Sequence, residues 1–555
     1  MMTVALVMIT SCQESIKYDI LIKNGKLYDG SGQAHFVGDL GINQDTIAYV
    51  GPPHQAMGNL EIDATDLAVA PGFINMLSWA TESLIVDGNS QSDIRQGVTL
   101  EVMGEGWSMG PLNKEMKDEA LALQKDFKYD IDWTTLGEYL ESLERRGIST
   151  NVASFVGATT IRIHVLGKAD VQPDPNQMEQ MKALVQEAME EGALGVGSSL
   201  IYAPAFYADT DELVELCSVA SKYGGMYISH LRSEGDNWLE AIGELIQIAS
   251  QANIPAEIYH FKAAGKDNWH KVDLALQKID SARNAGIRIT TDMYTYTAGA
   301  TGLDAAMPPW VQAGGYGAWA ERLKDPIIRQ KVMNEMQQKG DGWENLFYAA
   351  ENPENVLLVG FRNDSLRYLT GKSLAEVSKL RGTSPEETAI DLVIQDSSRV
   401  GTVYFLMSEE NVKRQVGIEY MSFGSDAASM APAEPFTNYN PHPRGYGNFA
   451  RLLGKYVRDE KALTLEDAIR KLTLLPASNL KIQKRGELKK GNFADVVVFD
   501  PDKIKDKATF QSPHQYAEGM IHVFVNGIPV LQNSEHTNAR PGRVVRGPGW
   551  KNKIN

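Results

Sequence analysis

Residues 225–265 constrain the fold more tightly than any other stretch of the chain. An apolar run, GMYISH, ends in His230, and a second, AEIYHF, carries His260 near its far end. Between them Trp238, Leu239, Ile242, Leu245, Ile246 and Ile248 recur at the spacing of one buried helix face. Strand, helix and strand within about 30 residues is a βαβ unit, so the two strands should lie parallel and adjacent. Both histidines then close neighbouring parallel strands at their carboxyl ends. In a (β/α)8 barrel that end is the catalytic face.

A single histidine at a strand end is more often a hydrogen-bonded rim residue than a ligand. Two at equivalent positions of consecutive strands are less easily explained that way. Neutral imidazole is the commonest metal ligand, and a catalytic zinc takes three protein ligands and keeps a fourth position for water.

The flanking sequence sets that unit in a larger pattern. From residue 71 onward strand-like runs alternate with helical ones: FINMLS, GVTLEVMG, NVASFVG, GVGSSLIY, then the two histidine strands, RITTDMYTY, VLLVGF, TVYFLMS and YMSFGSD. Such alternation predicts parallel βαβ units, yet ten runs compete for eight places in a barrel. The charged, helical stretch around 300–400 reads as an insertion, and insertions on this face can act as lids. Residues 16–70 and 481–555 instead hold short β runs separated by NG, DG and SG turns. The expected fold class is α/β: a TIM-like (β/α)8 barrel over 71–480, with a small β-sandwich formed from both termini.

Composition removes several alternatives. The 555 residues carry a net charge of −17 without a basic run, which argues against a nucleic-acid partner. No apolar run approaches the length of a spanning helix. Two cysteines make no disulfide framework, and Cys217 reads as a small buried apolar group. The opening MMTVALVMITSC looks like a lipoprotein leader over 1–15, although Lys and Arg are missing before Cys12. It predicts export to the periplasm, with membrane attachment through a lipidated Cys12.

The phrases DLAVAPGFI, SHLRSEG, YHFKAAG, FGSD, HPRGYGNFARLLGKYV and GNFADVVVFDP together resemble the amidohydrolase superfamily, and within it the N-acyl-D-amino-acid deacylases (D-aminoacylases). The resemblance runs from about residue 18 to residue 546. It implies a metal-dependent barrel with a terminal β-sandwich and hydrolysis of N-acylated D-amino acids. It also implies Asp426 as catalytic acid/base, Arg444 as the grip on the substrate carboxylate, and Lys262 with Tyr294 or Tyr296 as further substrate contacts.

One departure outweighs the matches. The family follows PGFI with Asp-x-His-x-His, whose histidines hold one of two metals. This chain has Asn75, Leu77 and Trp79 there, and neither Leu77 nor Trp79 can ligate a cation. The family's other metal uses the two strand-end histidines and a cysteine, whose position falls on Gly106. Glu105 stands just before it, and a carboxylate is a legitimate zinc ligand. The expected centre is therefore mononuclear: one zinc, or another divalent metal, held by His230, His260 and Glu105. A non-catalytic binding barrel, or a dipeptidase or cyclic-amide hydrolase of the same superfamily, is the competing expectation.

Overall fold

The protein is described by a computed structural model covering residues 16–551; the expected leader and Cys12 lie outside the described residues. Eight parallel strands form the barrel: Phe73–Asn75, Val98–Met103, Asn151–Ser154 continuing as Val156–Gly157, Gly195–Ser199, Met226–His230, Ala256–Ile258, Ile289–Met293 and Met421–Phe423. The third strand breaks at Phe155; its first half pairs with the second strand and its second half with the fourth. Closure comes where the Met76 amide donates to the Phe423 carbonyl at 3.1 Å and Ser78 bridges to Ala427.

The βαβ unit forms as its periodicity predicts. Tyr227, Ile228 and Ser229 pair in parallel with Ala256, Glu257 and Ile258. The helix Trp238–Gln251 buries Trp238, Ile242, Leu245 and Ile248, while Leu239 and Ile246 flank that face and are only partly covered. Cys217 is fully buried.

The two surplus runs have a different home. Val356–Gly360 and Gly401–Phe405 join Ala298–Gly302 in a three-stranded antiparallel sheet outside the barrel. This sheet and its helices lie between the seventh and eighth barrel strands and pack around their own core, which includes Leu303, Trp319, Val332, Ile390 and Tyr404. Short apolar runs do not reveal which sheet they enter, because a buried strand looks the same in either.

Strands from both ends of the chain join side by side in one nine-stranded sheet. Its seam is the antiparallel pairing of Val496–Phe499 with Ala68–Pro71. A buried polar knot ties this sheet to the barrel. Arg485 pairs with Asp495 and donates to Asn526 Oδ1 at 2.9 Å. Asp495 accepts the Asn526 amide at 2.9 Å, and Asn526 Nδ2 donates to Asn151 Oδ1 on the third barrel strand at 2.8 Å. Removing one partner of a buried pair strands the other charge, a loss of about 3–5 kcal/mol. Asp495→Ala is therefore expected to lower unfolding free energy by about that amount, measured by denaturant titration. A change below about 1 kcal/mol, the scale of an exposed pair, would show the knot to be incidental.

Candidate metal centre and active site

The second barrel strand ends in Gly104-Glu105-Gly106, and both glycines are needed to aim Glu105. Their φ angles are +106° and +70°. A Cβ on Gly104 would strike the Phe155 carbonyl, and one on Gly106 would strike the Ser199 hydroxyl. A side chain at position 106 has no room. The buried Glu105 Oε1 lies 3.1 Å from His230 Nδ1 and 3.0 Å from His260 Nε2. Potential ligand atoms of the three residues all lie within 4.8 Å of one another, the one such cluster of three among the described residues.

His230 closes the fifth strand. His260 follows the sixth and turns its backbone to φ +34°, a region few non-glycine residues enter. The turn is held by the His260 amide donating to Asp292 Oδ1 at 2.9 Å. Asp426, after the eighth strand, is also left-handed at φ +48°, its amide donating to the Leu77 carbonyl at 2.8 Å. Backbone strain of this kind concentrates at functional sites.

The outer nitrogens of both imidazoles face one carboxylate, Glu234. His260 Nδ1 is 2.8 Å from Glu234 Oε1, and His230 Nε2 is 3.7 Å from Glu234 Oε2. For His260 this matches the carboxylate–histidine–metal arrangement; Lys262 Nζ lies 2.8 Å from the same ring nitrogen, and His230 Nε2 has no hydrogen-bond partner. The donor set therefore fits a divalent cation of the zinc type: two nitrogens, one oxygen, and a carboxylate behind the rings. Burial and the Lys262 charge oppose protonation of His260, but Glu234 and Glu105 outweigh them and push its pKa up to about 10. Burial likewise opposes ionisation of Glu105, yet the two imidazoles hold its carboxyl well below the usual range.

Lys262, Tyr294, Asp426 and Arg444 line a cavity of about 420 Å³ at the barrel mouth. Lys262 Nζ lies 2.5 Å from Glu234 Oε1, so its charge is already matched. Asp426 Oδ2 meets Arg444 Nη2 at 2.8 Å. Burial raises the Asp426 pKa; Arg444 works against that and Glu105 adds to it. The buried Arg444 stacks 4.5 Å over the Tyr294 ring, and its Nε and Nη1 have no hydrogen-bond partner. Unpaired donors in the interior are rare, and these adjoin the cavity. Insertion residues Thr301, Val359, Arg399 and Leu406 complete the wall.

Two sequence expectations need correction. Tyr296 does not line the cavity: its hydroxyl donates to Asp506 Oδ2 at 3.1 Å and its ring packs on His442 and Phe510. The seventh strand ends at Met293, so strand alternation no longer keeps positions 294 and 296 on one side. Trp79, read only as a lost ligand, donates its indole N–H to Glu105 Oε2 at 2.9 Å. Glu234 was not singled out, although SHLRSEG places a carboxylate four residues after His230.

Residues 369–531 match the amidohydrolase family model. Over 536 residues the chain is 31% identical to the D-aminoacylase of Alcaligenes xylosoxydans xylosoxydans, covering 96% of this chain and 99% of that protein. The chain belongs to the D-aminoacylase family of amidohydrolases. Among solved structures it resembles the N-acyl-D-glutamate deacylase of Bordetella bronchiseptica, described with zinc and a phosphonate mimic of the tetrahedral intermediate. The TM-score is 0.80 at 28% identity, covering 96% of this chain and all of the other. A D-aminoacylase described for the role of its binuclear metal centre gives a TM-score of 0.79 at 28% identity, covering 95% of this chain. In this member of the family, Leu77 sits in the core and its carbonyl supports Asp426, rather than presenting a ligand.

His260→Ala should leave a folded protein that no longer retains zinc through dialysis, read by elemental analysis. Retention of stoichiometric zinc would remove His260 from the centre.

Proposed function

We propose that this D-aminoacylase family member hydrolyses the amide bond of N-acylated D-amino acids with one divalent cation held by Glu105, His230 and His260. The observation that supports this most is that Glu105, His230 and His260 cluster together and that Glu105 and His230 line the same cavity as Asp426 and Arg444. The cation, zinc by likeness to the deacylase above, would make a water nucleophilic near neutral pH and offset charge on the amide oxygen. Asp426 accepts the water proton and returns it to the leaving nitrogen. Its raised pKa favours that double role, because a carboxylate poised nearer neutrality both takes and gives a proton. Arg444 holds the substrate carboxylate through its free N–H groups while Nη2 stays on Asp426. One guanidinium thus ties substrate position to the proton carrier. Lys262 sits between Glu234, which balances its charge, and the Tyr294 face.

The named activities of the relatives support this substrate class: D-aminoacylase, N-acyl-D-glutamate deacylase and N-acyl-D-aspartate deacylase, at 31%, 31% and 29% identity. Export with lipidation at Cys12 is part of the proposal and rests on the sequence of residues 1–15 alone.

N-acetyl derivatives of D- and L-amino acids, tested with zinc-loaded protein, separate this reading from a binding barrel. Turnover confined to D-isomers is expected, and Asp426→Asn should keep its zinc while losing at least ~10²-fold in kcat. No turnover of any isomer would sink the proposal, and near-normal kcat in the variant would remove Asp426 from its role.

A further inference from the structure

The two oxygens of Glu105 have different partners. Oε1 faces His230 and His260, whereas Oε2 accepts the Trp79 indole N–H at 2.9 Å. We infer that Trp79 is a positioning residue that fixes Glu105 as a one-oxygen ligand and blocks a second cation from this centre. The inference rests on the cation site proposed above.

Chemistry and packing both bear on it. An indole nitrogen carries a proton at any accessible pH and donates only. Wherever its N–H meets Oε2, the partial positive charge of that proton takes the place a second cation would need. Its backbone is held as well: the Trp79 amide donates to the Ala427 carbonyl at 3.0 Å, one residue past Asp426. The ring packs against the core cluster that contains Leu77, Val102 and Tyr259, and forms part of the cavity wall. The residue therefore links three strand ends: the first through its own backbone, the second through Glu105, and the eighth through Ala427.

Holding Oε2 has a second effect. A free carboxylate can swing between one-oxygen and two-oxygen ligation, which changes the number of donors around the metal. The indole N–H makes the one-oxygen form the resting geometry, so Oε1 stays aimed between the imidazoles. Groups that orient metal ligands in this way typically contribute 10–100-fold to metal affinity. A D-aminoacylase relative is described as activated by one metal and attenuated by a second. With Trp79 in place, attenuation by a second metal should be missing here.

The test uses full-length protein stripped of metal, titrated with zinc against a chelating indicator, alongside Trp79→Phe and Trp79→Gln. Wild type should bind one zinc per chain, with hydrolysis flat as zinc rises to large excess. Trp79→Phe keeps an aromatic ring but no donor, and its zinc Kd should rise 10–100-fold. Its cobalt(II) form should also absorb more weakly in the visible, as expected when a second carboxylate oxygen joins the metal. Trp79→Gln carries an amide N–H at similar reach and should recover most of the affinity, which a purely packing role would not allow. Phe and wild-type proteins with equal Kd and equal cobalt spectra would overturn the inference. So would a Gln variant as weak as Phe, or a second zinc binding to wild type. Wild type binding no zinc would overturn the cation site itself, and the inference with it.

Discussion

A buried carboxylate, Glu105, organises the mouth of this barrel. Taking a carboxylate out of water costs several kcal/mol unless donors replace the lost hydration. Here they come from three different strand ends: Trp79 after the first, His230 from the fifth and His260 from the sixth. The same contacts that make burial tolerable also draw the two imidazoles toward one oxygen. Behind them Glu234 balances Lys262 and the outer nitrogens, so charge alternates outward from the centre.

The surrounding architecture serves this arrangement. Glycines at 104 and 106 allow the sharp exit that turns Glu105 inward. The left-handed backbone at His260 and Asp426 is held by Asp292 and Leu77. Leu77 takes part although it carries no ligand atom. Its side chain fills the core while its carbonyl fixes Asp426.

Much of this was legible in the sequence. Two histidines closing consecutive βαβ strands predicted the barrel face and the pair of nitrogens, and the apolar spacing of 238–248 predicted the helix between them. The terminal β runs predicted one small β-sandwich built from both ends of the chain, and the two ends do meet in one sheet, with its seam at Val496–Phe499 and Ala68–Pro71. What stayed hidden depends on contacts between distant residues. VLLVGF and TVYFLMS stood among ten runs for eight barrel places because burial on both faces erases the alternation that would tell sheets apart. Tyr296 looked equivalent to Tyr294 until the strand ended at Met293 and freed the backbone to turn. Trp79 looked like a simple loss because a donor is recognised only once its acceptor is known.

The central claim is that one cation, and only one, is held by Glu105 Oε1, His230 Nδ1 and His260 Nε2. Diffraction data collected on either side of the zinc absorption edge, from crystals grown with excess zinc, test it most directly. The account predicts a single anomalous peak bounded by those three atoms. Absence of a peak there, or a second peak beside Leu77 and Trp79, would contradict it.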